Sequence, residues 1–179
     1  PNPCQNPMPE YIPEQPQRKE GHFPNSENTV VELHRLLSIF LASRHFAELC
    51  TEYPGEGFDS IYKIQEVEAD EITRILLSVA IMARVIDDRE GRVFELVGSN
   101  CGTLQKDISA EVIDALDIRE ACNKIIHADK VRFDVDVLGV QRYLNPVIYL
   151  YGSLHGKNWR AQLDVIKFCK EYVSTVCDF

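Results

Sequence analysis

Residues 130–164, KVRFDVDVLGVQRYLNPVIYLYGSLHGKNWRAQLD, decide the fold. Val131, Phe133, Val135 and Val137 alternate with Arg132, Asp134 and Asp136, the two-residue period of a half-buried strand. Pro146–Tyr151 (PVIYLY) is rich in β-formers and reads as a second strand. Gly152–Asn158 holds two glycines and reads as a turn, after which Trp159, Ala161 and Leu163 alternate as a third strand. The stretch is therefore a three-stranded antiparallel meander.

On either side the period changes to that of a helix. Val30, Leu33, Leu37, Phe40 and Leu41 recur at helical spacing in a segment ending near Cys50, where Pro54, Gly55 and Gly57 break it. Ile72, Ile75, Leu76, Val79, Met82, Ala83 and Ile86 predict a second helix over about 67–88, with Gly91 as its stop. Asp117 and Glu120 have capping-box spacing before a helix over 118–128, and Asp164 caps a last helix over 165–176. Ser109–Leu116 reads as a short helical piece, and residues 92–106, with Gly98 and Gly102, as a loop or short turn. Helices segregated from a meander predict an α+β domain over 25–179, a layer of about four helices on a small sheet. Seven of the nine prolines lie in residues 1–24, which read as a flexible arm because proline removes a donor and blocks helices.

Composition narrows the function classes. The chain has 179 residues, 45% hydrophobic and 26% charged, an ordinary globular mix. No apolar run approaches the ~18 residues needed to span a bilayer, so no membrane association is expected. No basic start with an apolar run marks a secretory leader. The six cysteines form no CxxC pair, and four of them (Cys50, Cys122, Cys169 and Cys177) fall in apolar helical patterns. A reducing cytoplasm and free thiols are the expectation. The net charge of -9 disfavours indiscriminate nucleic-acid binding, yet residues 117–170 carry nine Lys/Arg against six Asp/Glu. A basic sector on an acidic chain is where an anionic ligand would settle, because local potential steers association more than net charge does.

Several constellations have ordinary explanations. Asp87-Asp88-Arg89-Glu90 reads as a solvated helix end, and Glu66, Glu68, Asp70 and Glu71 suit the first turn of a helix. His34 and His45 stand too far apart to share a metal. Neither a glycine-rich phosphate loop nor GxSxG nor HExxH is present, and no metal or cofactor is expected. Tyr149, Tyr151, His155 and Trp159, beside Lys157 and Arg160, suit stacked bases or an ordinary sheet under a helix.

The helix IREACNKIIHA carries the one thread toward chemistry. At 100° per residue, His127 lies within about 80° of Arg119, Glu120, Asn123 and Lys124, while Ile118, Ala121, Cys122 and Ile125 share the opposite, core-facing side. Imidazole titrates near neutrality and could move a proton beside a bound phosphate. The same face is also what any amphipathic helix presents to solvent, with Glu120 and Lys124 a favourable i,i+4 pair. Cys122–His127 resembles the signature of the HEPN superfamily of small helical domains: an arginine, a polar residue such as Asn, then a histidine near a helix end. Asn123 and His127 match that pattern; Cys122 occupies the arginine slot, and Arg119 stands one turn earlier. The resemblance covers about ten residues, and the meander is foreign to the basic helical bundle.

The resemblance implies RNA binding, with metal-independent cleavage at a site shared across a homodimer, in a bacterial defence or toxin–antitoxin setting. His127 would transfer the proton, Asn123 would orient it, and Arg119 would supply the charge that Cys122 cannot; a form without activity is equally consistent. Lys124, Lys130, Arg132 and Trp159 are the expected substrate-binding residues. The alternative is a non-catalytic interaction factor, antitoxin- or immunity-like, whose acidic N-terminal half meets a basic protein. A weaker option is a small-ligand sensor built on the Tyr149–Trp159 region.

Overall fold

A computed structural model describes residues 26–50, 59–91, 98–139 and 141–177. In chain order the elements are α1 (Ser26–Leu49), α2 (Ser60–Gln65), α3 (Glu68–Glu90), β1 (Gly102–Gln105), β2 (Asp114–Leu116), α4 (Ile118–Ile126), β3 (Lys130–Leu138), β4 (Gln141–Leu154), β5 (Lys157–Asp164) and α5 (Val165–Tyr172). A π-helical turn, Val173–Cys177, follows α5. The arm over 1–24 lies outside the described residues. The class is α+β, with four helices of eight residues or more and the single short helix α2. No helix among the described residues is long and apolar enough to cross a membrane.

The sheet is larger than the sequence suggested. It has five antiparallel strands in the order β2-β1-β5-β4-β3. β3, β4 and β5 form the expected meander, and β1 and β2 extend it beyond β5. Both extra strands fall where no strand was expected. Gly102–Gln105 lies in the stretch read as a loop, and Asp114–Leu116 in the one read as helical. Edge pairing outweighs local propensity there: Leu104 and Leu116 are fully buried in the common core, which only the extended pairing of Gly102 with Leu116 allows. Val112 and Ile113, the apolar residues just before β2 in that piece, stay exposed.

The expected second turn also needs correction. Leu154 pairs with Lys157, so the turn is only His155-Gly156, both with positive φ (50° and 77°), the mirror-image turn that suits strand twist. Gly152 sits inside β4, where a Cβ would overlap the Trp159 ring. Pro146, which cannot donate to a ladder, falls where the β3–β4 register shifts between Phe133 and Val135. The pairing with β5 begins only at Val147, so with the bulge on the β3 side neither neighbour needs the missing N–H.

The described helices lie on one face of this sheet. Ile148 and Leu150 of β4, Trp159, Ala161 and Leu163 of β5, and Leu104 of β1 face the helices and are buried. Leu36 and Phe40 of α1, Cys122 of α4 and Phe168 of α5 complete that core. α3 packs on α1 and α4 as a further layer, pinned by the Tyr172 hydroxyl donating to the Val79 carbonyl at 2.8 Å. Asp117 and Asp164 cap α4 and α5 as expected, accepting from the backbone N–H of Glu120 (2.7 Å) and Lys167 (3.0 Å). Burial pushes the Cys101 and Cys169 thiols up to about 12 and raises that of Cys122 as well, so these thiols behave as small hydrophobes.

Candidate nucleic-acid interface

The polar face of α4 forms as the spacing predicted, and the helix buries Ile118, Ala121, Cys122 and Ile125. The slot where the resemblance needs a guanidinium thus points into the core. Arg119 and His127 are both exposed. Eight residues of helix separate them by about 12 Å along the axis. Neither side chain has a hydrogen bond or ion pair among the described residues. Among the described residues the Asn123 side chain reaches only Glu120, with Nδ2 3.4 Å from Oε1. His127 caps the C-terminus of α4 through its backbone N–H to the Asn123 carbonyl, 3.0 Å.

Lys124 is placed differently from its helix neighbours. Its side chain is only 12% exposed, its ammonium lies 3.7 Å from Glu120 and it rests 4.6 Å from the centroid of the Trp159 ring. This cation–π contact closes over an indole that Gly152 also packs against. Trp159 is 3% exposed. The indole is part of the inner face of the sheet and Lys124 covers it, so the two form a structural pair.

The outer face of the sheet brings together what the sequence scatters. Directly paired residues on neighbouring strands share a face. One row across the sheet is therefore Lys130 (β3), Tyr151 (β4), Arg160 (β5) and Gln105 (β1). The next row is Arg132, Tyr149, Gln162 and Thr103 on the same strands. Among the described residues no helix packs against these rows. Lys130, Arg132, Arg160 and Gln162 are exposed, and both tyrosines are half-buried between them. None of the three cations makes an ion pair among the described residues. At strand spacing the face between β3 and β1 is about 14 Å wide, and the rows are about 7 Å apart.

Beside the first row opens a cavity of about 350 Å³, lined by Lys130, Arg132, Tyr151, Asn158, Asp129 and Ile108 among others. Of the expected substrate-binding residues, Lys130 and Arg132 stand together on this surface. The edge of Trp159 reaches the cavity from below, and Lys124 lies on the other side of the sheet. Sequence reasoning noticed Tyr149, Tyr151 and Arg160 but did not assign them. Alternation shows that Tyr149 and Tyr151 share a face, whereas their alignment with Lys130 and Arg132 depends on the β3–β4 register across a bulge.

No family model matches the chain, and neither a curated protein nor a solved structure is significantly similar to it.

Proposed function

We propose that the protein binds single-stranded RNA across the outer face of its sheet. The observation that carries this reading is the pair of cross-strand rows, each with a cation and a tyrosine side by side. Unstacked bases lie on aromatic faces, and adjacent cations hold the phosphates that join them. Two tyrosines about 7 Å apart would serve two successive bases. Gln105, Gln162 and Thr103 offer donors and acceptors to base edges and to the ribose 2′-hydroxyl, the group that separates RNA from DNA. A duplex would not fit the same face, because its bases are already stacked and its major groove is deep and narrow. The basic sector explains how a chain of net charge -9 could hold an anion.

His127 lies on the helix side of the sheet, at the end where α4 leads into β3: its carbonyl faces the same side of Gly152 as the Trp159 ring, and Lys130 follows three residues later. Cleavage by His127, with Arg119 and Asn123, would act on a strand that passes round that end of the sheet.

Fluorescence anisotropy with a labelled single strand tests the reading. Binding should fall with salt at a slope near -2 on logarithmic axes, as expected for about three phosphates on a single strand. Arg132→Ala should lower that slope by roughly 0.7. RNA should bind more tightly than DNA of the same sequence, and duplex least. Equal binding of the parent and a Lys130→Ala/Arg132→Ala/Arg160→Ala variant would refute the proposal. Incubating the RNA in EDTA beside a His127→Ala variant reads cleavage on the same samples.

A further inference from the structure

We infer that α3 is a homodimer seam, in which the outer ridge of one α3 packs antiparallel against the same ridge of a second copy. This inference does not rest on the RNA-binding reading. α3 lies against α1 and α4 on the side of the helical layer away from the sheet. Leu77, Ile81 and Val85 are 42%, 46% and 37% exposed, one turn apart on its outward side. Charged residues flank them: Asp70 and Arg74 before, Asp88 and Arg89 after. An aliphatic centre with a charged rim is the make-up of an interface, and three aligned aliphatic side chains in water are costly to leave uncovered.

The pattern also names its occupant. Place a two-fold axis at Ile81 and run the second helix antiparallel. Ile81 then meets its own copy, Leu77 meets Val85 of the other chain, and Arg74 meets Asp88. The register matches aliphatic with aliphatic and cation with anion at every step. A parallel pairing would instead set Arg74 against Arg74 and Asp88 against Asp88. Among the described residues the Asp88 carboxylate, 71% exposed, is held only by a long contact to Arg84, 3.8 Å, which leaves it facing outward toward a partner. Arg74 already binds Glu71 and Glu32 at 2.8 and 2.9 Å, and Asp88 would join that network. A groove of about 350 Å³ between α1 and α3, lined by Val31, Ser78 and Met82 among others, runs beside the ridge and leaves room for the partner's side chains. A dimer through α3 leaves both outer sheet faces open.

Three aliphatic residues per chain make a small seam, so the dimer should be weak and concentration-dependent. Sedimentation velocity over a dilution series, up to concentrations on the order of 100 µM, should show monomer and dimer in exchange. Ile81→Asp should shift the chain to monomer at every concentration without changing its melting, since the site is half exposed. The register is read by oxidative cross-linking in a Cys4→Ser/Cys177→Ser background. Ile81→Cys should form a disulfide-linked dimer, because two-fold positions approach within disulfide reach. Leu77→Cys alone should not, while Leu77→Cys together with Val85→Cys should. A chain that stays monomeric throughout, a dimer indifferent to Ile81→Asp, or cross-linking by Leu77→Cys better than by Ile81→Cys would each overturn the inference.

Discussion

The β3–β4 hairpin is held in two different ways at its two ends. At the near end Phe133 pairs with Ile148 and Val131 with Leu150, and this stretch lies on the apolar core with Lys130, Arg132, Tyr149 and Tyr151 turned outward. Past the bulge, Val135 and Val137 are exposed, and the core thins to the half-buried Leu144 at its margin. That far end is tied down by a buried hydroxyl. The Ser43 hydroxyl of α1 accepts from the Leu144 N–H at 3.0 Å and from the Gln65 side chain at 3.3 Å, and donates to Glu68 at 2.8 Å. Gln65 also donates to the Arg142 carbonyl, 3.1 Å. Packing thus orders the end that carries the proposed interface, and polar bonds order the end that joins β4 to α1, α2 and α3. The first kind of order is indifferent to pH and tolerant of small shifts; the second is directional, and one atom can undo it.

The largest expected effect comes from the near end. Trp159→Ala removes the largest inner-face side chain below the platform and leaves Lys124 without its ring. It should destabilise the fold by about 3–5 kcal/mol, read from urea unfolding at neutral pH. A loss under 1 kcal/mol would mean that the indole is a surface group after all. At the far end Ser43→Ala strips three hydrogen bonds and leaves the Leu144 N–H and the Glu68 carboxyl without that partner, for about 2–3 kcal/mol. Hydrogen exchange should locate that loss in Gln141–Leu144 and spare Ile148–Tyr151. Uniform loss along the hairpin would erase the distinction between its ends.

Much of this was legible in the sequence, and the exceptions have a common cause. The amphipathic split of α4 follows from 100° geometry alone, so Ile118, Ala121, Cys122 and Ile125 were placed correctly. The caps at Asp117 and Asp164 are local as well. Strands β1 and β2 were missed because a four-residue and a three-residue strand have no periodicity to detect; they exist through pairing with β5 and with each other. Gly152 was read as turn-forming, whereas it makes room for an indole seven residues on. The cation–tyrosine rows required register across three strand pairs, and register is a tertiary quantity. Polar residues on one helix face, such as Asn123 and His127, are what any solvated helix provides. Side chains aligned from four strands are a rarer coincidence, so the sheet carries the functional proposal.

A smaller effect separates the platform from the fold beneath it. Tyr151→Ala should weaken single-strand binding by about 1–3 kcal/mol, the usual worth of one stacked base, with little change in melting because the ring is half exposed. The same substitution should leave the Ser43 end untouched. An unchanged affinity would leave the near end a well-packed sheet with no ligand, and the difference between the two ends would be structural only.

The smallest effect concerns protons at the far end. Glu68 is 8% exposed, and Oε1 has no hydrogen-bond partner among the described residues. Burial raises its carboxyl above the usual carboxylate range, against the opposing hydrogen bond from Ser43. The folded chain therefore holds this proton more tightly than the unfolded chain does. Its contribution to stability is full below the unfolded pKa and is lost as pH rises through the higher folded value. Above that raised folded value the carboxylate bears the burial cost. Glu68→Gln keeps an acceptor for Ser43 and removes the charge, so the variant should exceed the parent at pH 8 by on the order of 1 kcal/mol. That advantage should close as pH falls to where the parent is protonated. Melts from pH 4 to pH 8 read the crossing, with Trp159→Ala as the control whose loss should not vary with pH. A constant gap between Glu68→Gln and the parent would place the carboxyl in water and leave packing as the only force at both ends of the hairpin.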